Sequence, residues 1–307
     1  MFHTLKIYND YINFYKILSL SMLSVSFFII FEFLARNYLN INIDNFVYHM
    51  GRESYIAETA EKIIRARGFA TESGLMSIYY EFCIFLSYIY IRQKSQLVGI
   101  IFYIINLFAF TLLFSSAAFF CLGVSLLIFF ILNLKSFLKL LYTLFFPLLI
   151  FIFLSYDFIS QFIVQVFLNK ITLLNGNILS GSSLERYSVY NLIYNIITEF
   201  PFGIGLGISQ SVVYLGETYL GYEVSAGQLS LYGTLLISGG FISLILFIFF
   251  IFNKLYTLKR SNNKILFILA ASSIFIHYSI VGDYWLPFLW VYLACLDFEI
   301  FRKEKLI

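Results

Sequence analysis

Apolar residues in this chain come in runs too long for a soluble core. Eight stretches stand out: Ile17–Ala35, Leu75–Ile91, Leu97–Leu113, Ala117–Leu132, Leu140–Tyr156, Leu231–Phe252, Ile265–Val281 and Tyr284–Ile300. About 20 apolar residues of helix cross the hydrocarbon of a bilayer, and roughly 17 to 25 are tolerated. A transmembrane β-strand would alternate apolar and polar positions over about ten residues, and these runs do not alternate. The pattern predicts an all-α integral membrane protein of about eight transmembrane helices, a single polytopic domain over residues 1–307.

Polar positions gather in two segments, 36–74 and 157–230, separated from the rest by short connectors. The first predicts a helix near Ser54–Arg65. Its acids (Glu53, Glu58, Glu61) come early, its bases (Lys62, Arg65, Arg67) come late, and Gly68 follows, which suits the helix dipole and a glycine stop. In the second, Gln161, Gln165 and Asn169 recur every fourth residue of Phe158–Leu174, a pattern for a helix lying in the interface. After Gly176 and Ser180–Ser183 comes a predicted helix Leu184–Phe200, capped by Ser182 or Ser183 and stopped by Pro201. Its expected apolar stripe is Leu184, Tyr187, Tyr190 or Asn191, Tyr194 and Ile197. No repeat of fixed period and no soluble-domain boundary is visible.

Composition agrees with the bilayer. Hydrophobic residues make up 61% of the 307, and charged residues 12% against about 25% in soluble domains. Lys and Arg fix the expected orientation: with the N-terminus cytoplasmic, thirteen fall inside and seven outside, and the seven lie in the two long loops. Both termini are then cytoplasmic. The first apolar run has no small-residue cleavage site and reads as an anchor, not a removable signal. The net charge of +3 has no continuous basic block, so no nucleic-acid partner is expected. Cys83, Cys121 and Cys295 sit inside apolar runs, and His3, His49 and His277 are scattered, so neither a metal site nor a cofactor is expected.

Candidate chemistry is confined to the outer loops. Arg65, Arg67 and Arg186 present planar, permanently charged forks that fit phosphate oxygens, the alternative being headgroup contact by snorkelling. Pro201-Phe202-Gly203-Ile204-Gly205-Leu206-Gly207 follows a helix, not a strand, so a dinucleotide fingerprint is excluded. Its glycines either present N–H groups to phosphate or allow close helix packing. Glu72 precedes the second span, Glu81 lies within it and Glu32 ends the first; acids at membrane depth are functional candidates. Glu185, Glu199, Glu217, Glu223 and Asp283 share the outer side as candidate bases. Tyr187 and Tyr190 head a set of outer aromatics, with Tyr194, Tyr214, Tyr219, Tyr222, Tyr284 and Trp285, that suit either sugar contact or an interfacial belt.

These residues resemble a family. Arg65-Ala66-Arg67-Gly68-Phe69-Ala70-Thr71-Glu72-Ser73 before a span is similar to the first periplasmic motif of O-antigen polymerases. Arg186, an amphipathic helix and then the run from Pro201 to Gly207 resemble their second. The group comprises the Wzy-type polysaccharide polymerases and the O-antigen ligases. The resemblance implies a metal-independent glycosyltransferase of the bacterial inner membrane, its two larger loops periplasmic. It would move a growing O-antigen or capsular glycan from undecaprenyl pyrophosphate onto a lipid-linked repeat unit. It also implies the lipid bilayer, a chain-length regulator and a flippase of the same pathway as partners. By the same token Arg65 or Arg67 and Arg186 hold pyrophosphate, Glu72 orients or deprotonates the acceptor, and Tyr187, Tyr190, Gly203, Gly205 and Gly207 line the substrate.

Two departures qualify the match. Ligases of the group place a His shortly before the glycine-containing span, and Ser225–Ser230 before Gly239-Gly240 has none, which favours polymerase over ligase. The family also carries more spans before its first motif than the one present here, as in a shortened version or a truncated start. The rival classes are a flippase or transporter, which would show inverted repeats and broken helices, and a non-catalytic membrane partner of the same machinery. The sequence displays neither transporter feature.

Overall fold

A computed structural model describes residues 11–41, 43, 64–70, 72–132, 181–205, 229–258, 261–282 and 286–304, without the side chains of 11, 181–188 and 302–304. Among the described residues the protein is helical and contains no strand. The elements are α1 (Tyr11–Tyr38), α2 (Ser73–Leu86), α3 (Tyr88–Ile91), α4 (Gln96–Thr111), α5 (Ser116–Leu132), α6 (Gly181–Glu199), α7 (Leu231–Thr257), α8 (Lys264–His277) and α9 (Pro287–Glu304).

Among the described residues, three helices at predicted spans are long and apolar enough to cross a membrane. They are Ile12–Tyr38, Ser73–Ile91 (α2 with α3) and Leu231–Thr257, with mean hydropathies of 2.2, 1.4 and 2.7. The predicted span at α5 is a helix of 17 residues over its whole expected length, and those at α4 and α8 are helices of 16 and 14 residues, ended by turns at Leu112–Leu113 and Tyr278–Ile280. The predicted span Tyr284–Ile300 overlaps α9. Leu140–Tyr156 and the interfacial helix Phe158–Leu174 lie outside the described residues. So does most of the predicted helix Ser54–Arg65, whose last two residues, Ile64 and Arg65, are not helical.

The described residues fall into two compact units. The first draws on Asn9–Asn175 and Ile265–Ser273, the second on Gly176–Lys264 and Ile274–Ile307. In the first unit α1 packs on α2, α3 and α4, and α2 on α5. Its core is mostly apolar, and besides the charged Glu32, Arg36, Arg67 and Glu81 it buries several serines and Asn106. Ser26 Oγ lies 2.7 Å from Tyr80 Oη and donates to Asn106 Oδ1 at 2.7 Å, while Asn106 Nδ2 donates to the Phe102 carbonyl at 2.6 Å. Ser125 Oγ donates to the Leu269 carbonyl at 3.2 Å and meets Ser272 Oγ at 2.9 Å, tying α5 to the middle of α8. Unpaired polar atoms in an apolar interior are costly, so such pairs specify which helix faces meet.

In the second unit α7 packs against α6 and α9. Its buried cluster is Val189, Leu192, Ile193 and Ile196 of α6 with Leu229 and Ile237. These α6 positions follow helical spacing but meet the predicted stripe only in part: Ile197 packs against the cluster, whereas Tyr190 and Tyr194 point outward, 52% and 69% exposed. Ile193 fills the space left by Gly233, where a Cβ would stand 2.6 Å from its Cδ1. A phenol there would strand its hydroxyl, so the branched aliphatics take the inner face. The serines proposed as caps, Ser182 and Ser183, lie inside α6, which starts at Gly181 and ends before Pro201 as expected. Opposite its packed face α7 exposes Phe241, Ile245, Leu246, Phe249 and Phe252. A helix apolar on its packed and its open face alike is suited to lipid.

One structural feature overturns an expectation. α7 is broken at Gly239 (φ −132°, ψ 18°) and Gly240 (φ 61°, ψ −157°), although its sequence reads as one uninterrupted span. The residues that repair the break belong to the candidate site.

Candidate functional site

The sequence-predicted residues fall in both units. In the first, they meet at the C-terminal end of α1. Three consecutive turns of this helix carry Phe28, Glu32 and Arg36, with Asn37 beside Arg36. Glu32 and Arg36 form an i,i+4 pair, Arg36 Nε donating to Glu32 Oε1 at 3.0 Å. α1 ends where Asn40 takes a left-handed conformation (φ 54°), and the cation in its last turn suits the helix dipole.

The segment Ile64–Ala70 returns along this end. Arg67 and Gly68 donate their backbone N–H groups to Glu32 Oε2 at 3.0 and 2.7 Å. The Arg67 guanidinium also approaches Glu32, with Nε 4.0 Å from Oε1. Glu32, Arg36 and Arg67 are all buried, so among the described residues two guanidiniums approach this carboxylate inside the protein. Burial, then the Arg36 charge, lowers the Arg67 pKa from its usual range, and Glu32 works against both. Gly68 is needed for the turn: its φ is 62°, and a Cβ would press on Ile29 and Met76.

Arg65, two residues earlier, is half-buried. Glu72 is exposed at the N-cap of α2 without a capping bond from its side chain, in the position where the helix dipole favours a carboxylate. The structure therefore gathers Arg67 with Glu32 and adds Arg36, which sequence reasoning missed as a site residue. The signal was present, as an acid and a base four apart in an otherwise apolar helix are placed to pair. Glu81 is fully buried within α2, with a carboxylate oxygen within 4.8 Å of Cys121 Sγ.

In the second unit the glycine motif meets the break in α7. Ile204 donates its N–H to the Ile237 carbonyl at 2.8 Å and Gly205 to Ser238 at 3.0 Å, while Phe241 donates to Pro201 at 3.3 Å. A helix break leaves carbonyls and N–H groups unpaired, which an apolar medium penalises heavily; the Pro201–Gly205 turn supplies the missing partners. Ser243 Oγ donates to the Gly240 carbonyl at 3.0 Å and also to that of Leu235. Gly203 (φ 80°) and Gly240 cross with no room for side chains: a Cβ on Gly203 would stand 2.6 Å from the Gly240 nitrogen. Between the two roles open for these glycines, Gly203 and Gly205 serve close packing, because their N–H groups are engaged by Phe200 and Ser238. Gly207 lies outside the described residues.

Arg186, Glu185 and Tyr187 lie on α6 with side chains outside the described set. Tyr190 projects outward, its hydroxyl 3.4 Å from the Ser279 carbonyl. Glu217, Glu223, Asp283, Tyr214, Tyr219, Tyr222, Tyr284 and Trp285 are outside the described residues. No family model, curated protein or solved structure matches this chain.

Proposed function

We propose that the chain is a Wzy-type polysaccharide polymerase working at the outer face of a bacterial inner membrane, with both termini cytoplasmic. The observation that carries the reading is the buried Glu32–Arg36–Arg67 cluster at the end of an apolar helix, in which Arg67 belongs to the segment that resembles the family's first motif. Guanidinium groups at that position suit an anion held at the membrane edge, such as the pyrophosphate of a lipid carrier.

In this reading an acceptor hydroxyl oxygen attacks the anomeric carbon of the carrier-linked glycan. The carbon–oxygen bond to the pyrophosphate breaks, and the carrier leaves with the bonding pair. Arg67, with Arg65, stabilises the charge that develops on the departing pyrophosphate. The acceptor proton passes to a carboxylate, for which exposed Glu72 is the candidate in the first unit.

The break in α7 favours a second reading, a flippase for the same lipid-linked oligosaccharide, because transporters build sites at discontinuous helices. Against it, the Ile237 and Ser238 carbonyls at this break already accept from the chain's own N–H groups.

The test is the polysaccharide ladder of a strain lacking the gene, complemented with wild type, Arg67→Ala or Arg186→Ala. A polymerase gives loss of the ladder down to core plus one repeat unit, restored by wild type and by neither variant. Loss of the single capped unit as well would assign ligation or flipping, and an unchanged ladder would refute both.

A further inference from the structure

α6 runs beside the first half of α7 in the same direction, and a series of contacts fixes the register. Tyr190 Oη lies 3.4 Å from the Ser279 carbonyl, while Leu231, at the start of α7, donates its N–H to the Tyr278 and Val281 carbonyls at 3.1 and 3.2 Å. Tyr190 is therefore level with the first turn of α7. Ile193 stands against Gly233, and Ile196 and Ile237 share one buried cluster. Pro201 then meets the break, its carbonyl accepting from the Phe241 N–H at 3.3 Å. From Ile193 to Pro201 and from Gly233 to Phe241 both segments advance by the same number of residues, about 12 Å of helix rise.

α7 carries its own depth scale. Phe252 is its last apolar residue before Asn253 and Lys254, and a helix crosses the hydrocarbon in about 20 residues. Counted back from Phe252, the crossing begins near Gly233. The break at Gly239-Gly240 then lies about 10 Å inside the hydrocarbon, and the end of α6 at Glu199 about 9 Å inside. A helix that the sequence pattern places in an outer loop thus descends alongside a span.

The face of α6 turned away from α7 is not apolar. Asn191, Asn195 and Glu199 recur every fourth residue along one line, with Tyr190, Tyr194 and Thr198 on the line beside it. The asparagines are half-buried, and Tyr190, Tyr194, Thr198 and Glu199 are exposed. At the same depth the open face of α7 carries Phe241, Ile245, Leu246 and Phe249. Amides and a carboxylate set against acyl chains are costly, and polar groups at membrane depth border water or protein instead.

We infer that α6 and the Pro201–Gly205 turn form a re-entrant element that dips into the bilayer from the side on which α7 begins, with its Asn191–Asn195–Glu199 edge bordering a water-filled crevice. Water and small polar solutes are thereby admitted to a depth at which Phe241, on the neighbouring helix, faces acyl chains. This topology rests on α7 as a span and is independent of the polymerase reading.

The experiment uses the full-length protein in lipid nanodiscs with a nitroxide on single introduced cysteines, the native Cys83, Cys121 and Cys295 being buried. Power saturation compares collisions with oxygen, which concentrates among acyl chains, and with a neutral nickel chelate, which stays in water. Phe241→Cys is expected to favour oxygen, and Asn195→Cys and Glu199→Cys to favour the chelate, so that the oxygen-to-nickel ratio differs about tenfold between the two helices. Tyr256→Cys, exposed beyond Lys254, marks the membrane edge. A ratio at Phe241 no higher than at Tyr256 would put the break outside the hydrocarbon and overturn the re-entry. Ratios at Asn195 and Glu199 as high as at Phe241 would put acyl chains against α6 and overturn the crevice. The Glu199 label removes the carboxylate it reports on, so Asn195→Cys decides where the two disagree. No activity enters the readout, so a failed ladder test of the polymerase reading leaves this result standing.

Discussion

Replacing Gly240 by Ala tests the account of the broken helix at its tightest point. The added Cβ would fall on the Pro201 carbonyl oxygen and 2.6 Å from Phe202 Cα, both backbone atoms that cannot rotate away. Gly240 also holds φ 61° and ψ −157°, a region almost reserved for glycine, where another residue costs about 1–3 kcal/mol. Relief requires the Pro201–Gly205 turn to withdraw, which breaks the bonds from Ile204 to Ile237, from Gly205 to Ser238 and from Phe241 to Pro201. At about 1 kcal/mol net for each of these three bonds, added to about 2 kcal/mol of strain, the total is roughly 5 kcal/mol.

Two neighbours calibrate this figure. Gly205→Ala meets no atom within 4 Å but has φ 102°, so backbone strain alone predicts about 1–2 kcal/mol. Gly239→Ala has an allowed φ and meets only the Ser243 side chain, its Cβ at 2.8 Å, which predicts about 1 kcal/mol. A thiol-reactive dye is a suitable probe because Cys295, in the same unit, is fully buried. Followed this way in detergent, Gly240→Ala should unfold about 10–20 °C below wild type, at roughly 2–4 °C per kcal/mol. Gly205→Ala should fall by about 2–8 °C and Gly239→Ala by about 2–4 °C. If Gly240→Ala unfolds within about 2 °C of wild type, the turn does not hold the break.

Other predictions concern polar pairs and the cations. Asn106→Ala removes an acceptor from Ser26 and a donor to Phe102 and should cost about 1–3 kcal/mol, read by the same thermal assay; no loss would mean that Ser26 and Tyr80 satisfy each other alone. Glu299→Ala removes the acceptor of Ser261 Oγ (2.5 Å) and Asn263 Nδ2 (3.1 Å), and should destabilise by about 2 kcal/mol, whereas Glu299→Gln, which retains an acceptor oxygen, should recover about half. Lys254→Met breaks the partly exposed pair with Asp297 and the cation–π contact with Phe250, 5.6 Å from the ring centroid, and should shift stability by about 1 kcal/mol or less; a larger loss would show that the ion pair acts as a buried one. Arg67→Lys and Arg186→Lys should each abolish most of the ladder, since a point charge does not reproduce a bidentate fork, and a full ladder from either would remove that arginine from the site.

The membrane character was legible in the chain because hydrophobic length is a one-dimensional property. Ile17–Ala35, Leu75–Ile91 and Leu231–Phe252 fall in helices long and apolar enough to cross a bilayer, and Pro201 ends α6 through its own ring geometry. Which face of α6 turns inward was not legible. Tyr190 and Val189 are both apolar enough to be buried, and the choice depends on Gly233 of another helix leaving room for Ile193. The break in α7 was hidden for a related reason. Gly239-Gly240 permits a break without demanding one, and only the Pro201–Gly205 turn, distant in sequence, supplies the partners that make it affordable in an apolar medium.

The candidate site divides the same way. Sequence alone singled out Arg65, Arg67 and Glu72 by residue type and placed Glu32 at membrane depth, because charge in so apolar a chain is conspicuous wherever it falls. Tertiary structure decided that Glu32 and Arg67 belong to one cluster, brought Arg36 into it and spent the N–H groups of Gly203 and Gly205 on packing. A residue's chemistry is written in its side chain, but the partner it meets is set by how distant segments fold against one another.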